Sequence, residues 1–199
     1  MRKFSVFCGS VFCVMILCFN VPAHAQTHPD IFEPDRGPFQ LAMGYQYQSF
    51  NEAGHKFHDN GFNTDFSVHV ADWITGASLR VAVAAEGIAA MGYGGNTGGT
   101  PNLQAKSLFL GGGPHVSIES NSRFEPWVHV LPGWEHFRFA QGANSPGTSS
   151  AFGFMAGGGV DVRIAPVLYW RVQGDYIGTH FKSSEQSNFS FGSGFVLYF

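Results

Sequence analysis

From Phe39 onward, apolar residues return at every second position with unusual persistence. Phe39, Leu41, Met43, Tyr45 and Tyr47 alternate with Gln40, Ala42, Gly44, Gln46 and Gln48. Successive side chains of a β-strand point to opposite faces. The pattern therefore predicts a strand with one greasy face and one small, polar face. No run after the first 25 residues approaches the roughly 20 apolar residues of a membrane helix. Helical periodicity is equally scarce, because glycines interrupt nearly every apolar stretch.

The alternation repeats seven more times. Phe62, Thr64, Phe66, Val68 and Val70 oppose Asn63, Asp65, Ser67, His69 and Ala71. Ala77, Leu79, Val81, Val83 and Ala85 oppose Ser78, Arg80, Ala82, Ala84 and Glu86. A fourth strand over 105–118 carries Leu108, Leu110, Val116 and Ile118 on its apolar face. In a fifth, over 124–139, Val128, Val130 and Trp134 face one way and His129 and Glu135 the other. Pro126 and Pro132 leave the parity of this strand open, since proline cannot donate to the ladder and often marks a bulge. Phe152, Phe154, Ala156, Val160 and Val162 oppose Gly153, Met155, Gly157, Gly159, Asp161 and Arg163. Trp170, Val172 and Tyr176 oppose Arg171, Gln173, Asp175 and Thr179. Phe189, Phe191, Phe195, Leu197 and Phe199 oppose Ser190, Gly192, Gly194, Val196 and Tyr198.

Eight strands with one apolar face each leave two solutions: a soluble barrel with that face inward, or a membrane barrel with it outward. Charge decides. Only 13% of the 199 residues are charged, against about 25% in a typical soluble domain. That is too few to coat the outside of a soluble, ligand-binding barrel. The 26 glycines and 21 phenylalanines divide between the faces: aromatics for lipid, small residues for the inside. Lipid cannot satisfy backbone polar groups, so a spanning sheet must close on itself. The fold class expected is all-β, an eight-stranded antiparallel up-and-down transmembrane β-barrel. Short connections at 72–76, 119–123 and 165–167 alternate with longer Gly-, Asn- and Ser-rich ones at 49–60, 87–104, 140–150 and 181–187. This is the pattern of periplasmic turns and external loops. Trp73, Trp127 and Trp170 fall near the short turns, where an interfacial girdle is expected.

The N-terminus reads as an export signal over residues 1–25. Arg2 and Lys3 precede a mostly apolar stretch, and Ala23, His24 and Ala25 form a small-x-small site, placing cleavage before Gln26. All three cysteines (Cys8, Cys13 and Cys18) lie in this segment, so the exported chain has no disulfide staple. Without Arg2 and Lys3, nine basic residues face fourteen acidic ones, a net charge of −5 with neutral histidines. That balance speaks against a nucleic-acid binder. Residues 26–37 read as a short periplasmic segment and 38–199 as the barrel.

The stretch from Gly157 to Arg163, then Arg171 to Tyr176, then Thr179, His180 and Phe181, resembles the final hairpin of the small bacterial outer-membrane β-barrels. This is the family of OmpA-like and OmpX-like barrels. Leu110 to His115 followed by Glu125 to His129 resembles its central hairpin. The resemblance covers roughly residues 38 to 199. It implies a fold and an outer-membrane location, not an activity, because such barrels host unrelated functions. The larger OmpA-type proteins add a peptidoglycan-binding domain, and a barrel without that domain is expected. Phe195, Leu197 and Phe199 on one face resemble the terminal strand signal read during barrel assembly.

Several residue sets could carry chemistry. Asp65, Arg80, Glu86, Glu135, Asp161, Arg163, Arg171 and Asp175 point inward with nearly balanced sign. Charges in a narrow lumen are costly unless paired, so they read as a structural network plugging the barrel; the competing reading is a polar pore. His55 and His58, next to Asp59 in the first long connection, are a weak metal candidate. His115, Ser117 and Glu119 share a strand face, but residues two apart lie roughly 6.6 Å apart along a strand. That spacing is poor for an acyl-transfer triad. The glycines of 92–99 and 111–113 lack the Lys-Ser/Thr pair and helix of a phosphate cradle.

The reading is an outer-membrane β-barrel with a structural role in the envelope, a plugged interior and surface loops free to bind. The alternative is a narrow porin for small solutes, with a lipid A-modifying enzyme third. No enzymatic activity, catalytic residue or cofactor is expected. The expected partners are outer-membrane lipid, lipopolysaccharide and the assembly machinery, with no nucleic acid. The chain is expected to be a monomer exported through the Sec pathway.

Overall fold

In a computed structural model, residues 37–52, 55–75, 79–96, 103–120, 122–141, 144–181 and 184–199 are described. The export-signal reading of residues 1–25, with cleavage before Gln26, and most of the segment 26–37 lie outside them. Eight strands follow one another: β1 (Phe39–Glu52), β2 (His55–Thr75), β3 (Leu79–Asn96), β4 (Leu103–Ser120), β5 (Phe124–Gln141), β6 (Asn144–Ala165), β7 (Leu168–Phe181) and β8 (Ser184–Tyr198). Each pairs antiparallel with its sequence neighbour, and β1 pairs with β8 to close the barrel. Closure runs from Gln40 opposite Tyr198 to Ser49 opposite Phe189. The backbones of Phe39 and Phe199 exchange hydrogen bonds of 3.1 and 3.0 Å beyond the last ladder rung. The start of β1, the end of β8 and the ends at which β2 meets β3, β4 meets β5 and β6 meets β7 share one rim, called the near rim below; the other rim is the far one.

The alternation translates directly into faces. Met43, Tyr45, Phe62, Phe66, Leu110, Val128, Val130, Trp134, Phe152, Phe154, Trp170, Phe191 and Phe195 are exposed on the outside, while Gln40, Gln46, Asn63, Asp65, Ser67, Gln173, Asp175 and Ser190 are buried inside. Pro126 and Pro132 cause no bulge in β5. Its register with β6 is continuous from Phe124 to Phe139; on the β4 side the ladder is interrupted between Gly111 and His115 and ends at Ser117 opposite Trp127. Both prolines stand on the outer face, opposite in parity to buried Trp127 and Leu131. Irregularities gather at strand ends. Bulges after His69 and Asp72 in β2 shift the alternation there, leaving Val70, Ala71 and Trp73 all exposed, whereas Ala71 is expected inside.

The longer connections need correction. Of 87–104, residues 87–96 continue β3 and 103–104 begin β4; 49–60, 140–150 and 181–187 are likewise almost wholly strand. Glycine, asparagine and serine mark loops in solution. In a hairpin whose partner is already aligned, the ladder extends through them because each backbone group still gains its pair. Strands of 14–22 residues exceed the roughly 9–11 needed to cross a bilayer. The surplus prolongs the hairpins toward the far rim.

Candidate functional site

The strand pattern brings chemistry together inside the barrel. His115 and His129 are direct cross-strand partners on β4 and β5. Ala84 stands opposite His115 on β3, so Glu86 is one pleat along on the same inner face. Same-face neighbours on adjacent strands lie within side-chain reach. His115 Nδ1 donates to Glu86 Oε2 at 2.7 Å. His129 Nδ1 donates to the same carboxylate at 3.1 Å, and its Nε2 to Asp175 Oδ1 at 3.1 Å. Gln173 adds a 3.1 Å hydrogen bond to Asp175 Oδ2.

A second centre adjoins the first. Arg171 donates from Nε and Nη2 to the two oxygens of Asp161, both at 2.8 Å, and from Nη1 to Asp65 at 3.0 Å. The two-pronged contact matches the planar guanidinium to the carboxylate. Trp127 joins the two centres. Its ring lies beneath the Arg171 guanidinium at 4.4 Å, stacks on His115 at 5.0 Å, and its indole N–H donates to Asp161 at 3.0 Å. This belt is almost completely removed from water. Glycine makes part of the room. A Cβ on Gly157 would sit 2.1 Å from Asp175 Oδ1 and 2.5 Å from the Gly174 carbonyl.

An apolar cluster of Ile88, Ala90, Phe109, Leu131, Met155 and Ile177 packs inside β3 to β7, on the far-rim side of the belt. Beyond it, Ser107 donates to Asp59 at 3.1 Å and Gln48 to Glu135 at 3.3 Å. A smaller group of Phe57, Ala105, Phe137 and Ala151 follows. On the near-rim side, Arg80 donates from two nitrogens to Glu119. This pair lines a cavity of about 160 Å³ that reaches Ser117 and His115.

All eight inward charges expected from alternation face the lumen side of their strands. Asp65, Asp161 and Arg171 form one centre, Glu86 and Asp175 another; Arg80 sits at the near mouth, Glu135 toward the far one, and Arg163 lies 5.9 Å from the Tyr169 ring. Their near-balance of sign does not hold for the whole interior. Asp59, Glu119 and Glu125 are buried as well, which makes, among the described residues, eight buried carboxylates against one buried arginine, with Arg80 and Arg163 partly exposed. Asp59 escapes the sequence reading because it falls in an expected loop, where alternation assigns no face.

Trp127 overturns its assignment to an outer girdle: it is 2% exposed, against 76% for Trp73. Trp170 is exposed, and its indole donates to Ser193 at 2.9 Å. The parity that puts Val128 outside puts Trp127 inside, so the signal is present in the sequence but outweighed there by proximity to a turn. Of the weak metal candidate, positions 55 and 58 both fall in β2 rather than in a loop. His58 meets Tyr47 at 2.6 Å, and the side chain of His55 lies outside the described residues. His115, Ser117 and Glu119 do share the inner face, but their partners are Glu86 for His115 and Arg80 for Glu119.

No protein-family profile matches this sequence, and no curated protein matches it. Solved structures do. Neisserial surface protein A superposes with a TM-score of 0.56 at 14% identity, covering 82% of this chain and 98% of that one. Ail, the attachment invasion locus protein of Yersinia pestis, superposes with a TM-score of 0.50 at 14% identity, covering 81% and 99%. The chain has the fold of the small eight-stranded outer-membrane barrels. At such identity the likeness concerns architecture alone, so what this barrel does rests on its own residues.

Proposed function

We propose that the chain is an outer-membrane β-barrel with a closed lumen and a structural, non-enzymatic role in the envelope. The observation that carries this is the inversion of polarity. Large apolar and aromatic side chains stand exposed around the outside while, among the described residues, eight carboxylates are buried within. In water that arrangement exposes a contiguous apolar surface far larger than monomers tolerate; in lipid it is the stable one. Closure of the lumen is supported by two successive barriers, the hydrogen-bonded belt and the apolar cluster. A non-enzymatic role is supported by the engagement of His115 and Glu119 with other charged partners inside the lumen, away from lipid. The partners of this reading are outer-membrane lipid, lipopolysaccharide and, during biogenesis, the assembly machinery. The barrel works as a monomer, and the far-rim hairpins are the surface it presents outward.

Two measurements test it. Carbonate washing is expected to leave the chain in the membrane, with heat-modifiable gel mobility after detergent extraction. In planar bilayers the purified barrel is expected to show no large stable openings. Release by carbonate refutes the membrane reading, and stable openings replace the closed barrel with the narrow porin.

A further inference from the structure

Beyond that structural role, we propose that Glu86, His115 and His129 hold one divalent transition-metal ion inside the barrel. Each offers one ligand atom, and the three atoms lie within 4.8 Å of one another with all three residues buried. Donors about 2.0–2.2 Å from a tetrahedral ion lie about 3.3–3.5 Å apart. The Nδ1–carboxylate distances of 2.7 and 3.1 Å therefore need to open by roughly 0.2–0.8 Å. The ion takes the place of the Nδ1 protons that now point at Glu86: the His115 proton moves to its Nε2, and the His129 Nδ1 proton leaves to water while its Nε2–H stays on Asp175. Two imidazole nitrogens and a carboxylate oxygen suit zinc, cobalt, nickel or ferrous iron rather than magnesium or calcium.

Three independent features support the site. First, His129 directs Nε2 at Asp175, which in turn accepts from Gln173. Metal-bound histidines almost always donate their second nitrogen to a carboxylate or carbonyl, which orients the ring. Second, among the described residues the interior holds far more buried carboxylate than buried arginine, so a bound cation offsets charge that is costly in a closed lumen. Third, the near-rim cavity reaches His115 and provides an entry path.

The test uses the full barrel in detergent, stripped with chelator and titrated with Co²⁺ and then Zn²⁺. The expected result is one ion per chain, a visible Co²⁺ absorption band, and displacement of that band by Zn²⁺. Asp175→Asn is expected to weaken binding about 10–100-fold. The double variant His115→Ala/His129→Ala is expected to abolish it, and His136→Ala, whose ring meets Ser150 on the outer face, to leave it unchanged. A readout that keeps every ligand is Trp127, stacked on His115 at 5.0 Å. In a chain with Trp73, Trp134 and Trp170 changed to Phe, Co²⁺ is expected to quench the remaining emission and saturate at one ion per chain. Heat-modifiable mobility reports folding of each variant. Absence of uptake by the folded barrel, equal uptake in a folded double variant, or stoichiometric binding without quenching of Trp127 overturns the proposal.

Discussion

Two neighbouring stretches of the lumen are filled by opposite means. In the belt, Asp65, Asp161 and Arg171 neutralise one another through hydrogen bonds of 2.8–3.0 Å, with Trp127 covering the guanidinium. In the neighbouring cluster, Ile88, Phe109, Leu131, Met155 and Ile177 fill the space by shape alone. The difference lies in what failure costs. A truncated apolar side chain leaves a gap that neighbours partly fill. A removed charge partner strands ions that nothing else nearby can solvate.

The largest effect is expected from Arg171→Ala. It leaves Asp65 and Asp161 buried without the guanidinium, at a cost of about 3–5 kcal/mol, read as a lower urea midpoint for unfolding in vesicles. Leu131→Ala, in the apolar cluster, is expected to cost about 3 kcal/mol in the same assay. Each of these two is expected to keep conductance at baseline, because the other barrier stands. Combined, they are expected to produce stable openings in planar bilayers; a silent double variant refutes the two-barrier view. Gly157→Ala pushes a methyl group against Asp175 and is expected to cost about 2 kcal/mol, since overpacking in a filled interior strains its neighbours. The smallest effect belongs to Arg80→Ala at the near mouth. The side chain is 27% exposed, so water replaces much of the lost contact with Glu119, and the shift is expected to stay below about 1 kcal/mol. If Arg80→Ala matches Arg171→Ala, burial is not what separates the two ion pairs.

Much of the architecture is legible in single residues. The alternation from Phe39 to Gln48 identifies β1 and its faces, and Asp161 and Arg171 are readable as inward from their own strands. Strand lengths are not. Glycine and asparagine in 87–96 look like loop in isolation and become strand only because β4 lies alongside. The site is half visible: His129 and Glu86 can be placed inside, but their meeting with His115 depends on register between strands. Register is a property of pairs, so no single stretch of chain contains it. Trp127 shows the opposite case, in which the local parity is correct and a positional expectation overrides it.

The pairing of β1 with β8 sets the order of events during assembly. Every other ladder joins neighbours in sequence and can form as the hairpins appear, with little loop entropy to overcome. The closing ladder joins Gln40 to Tyr198, nearly the whole length of the barrel apart. Until it forms, every intermediate carries two unpaired strand edges, the kind of template on which other chains add. The last seam therefore converts a sticky, open sheet into a finished object in one step. A chain halted before β8 keeps both edges and is the form most prone to aggregate.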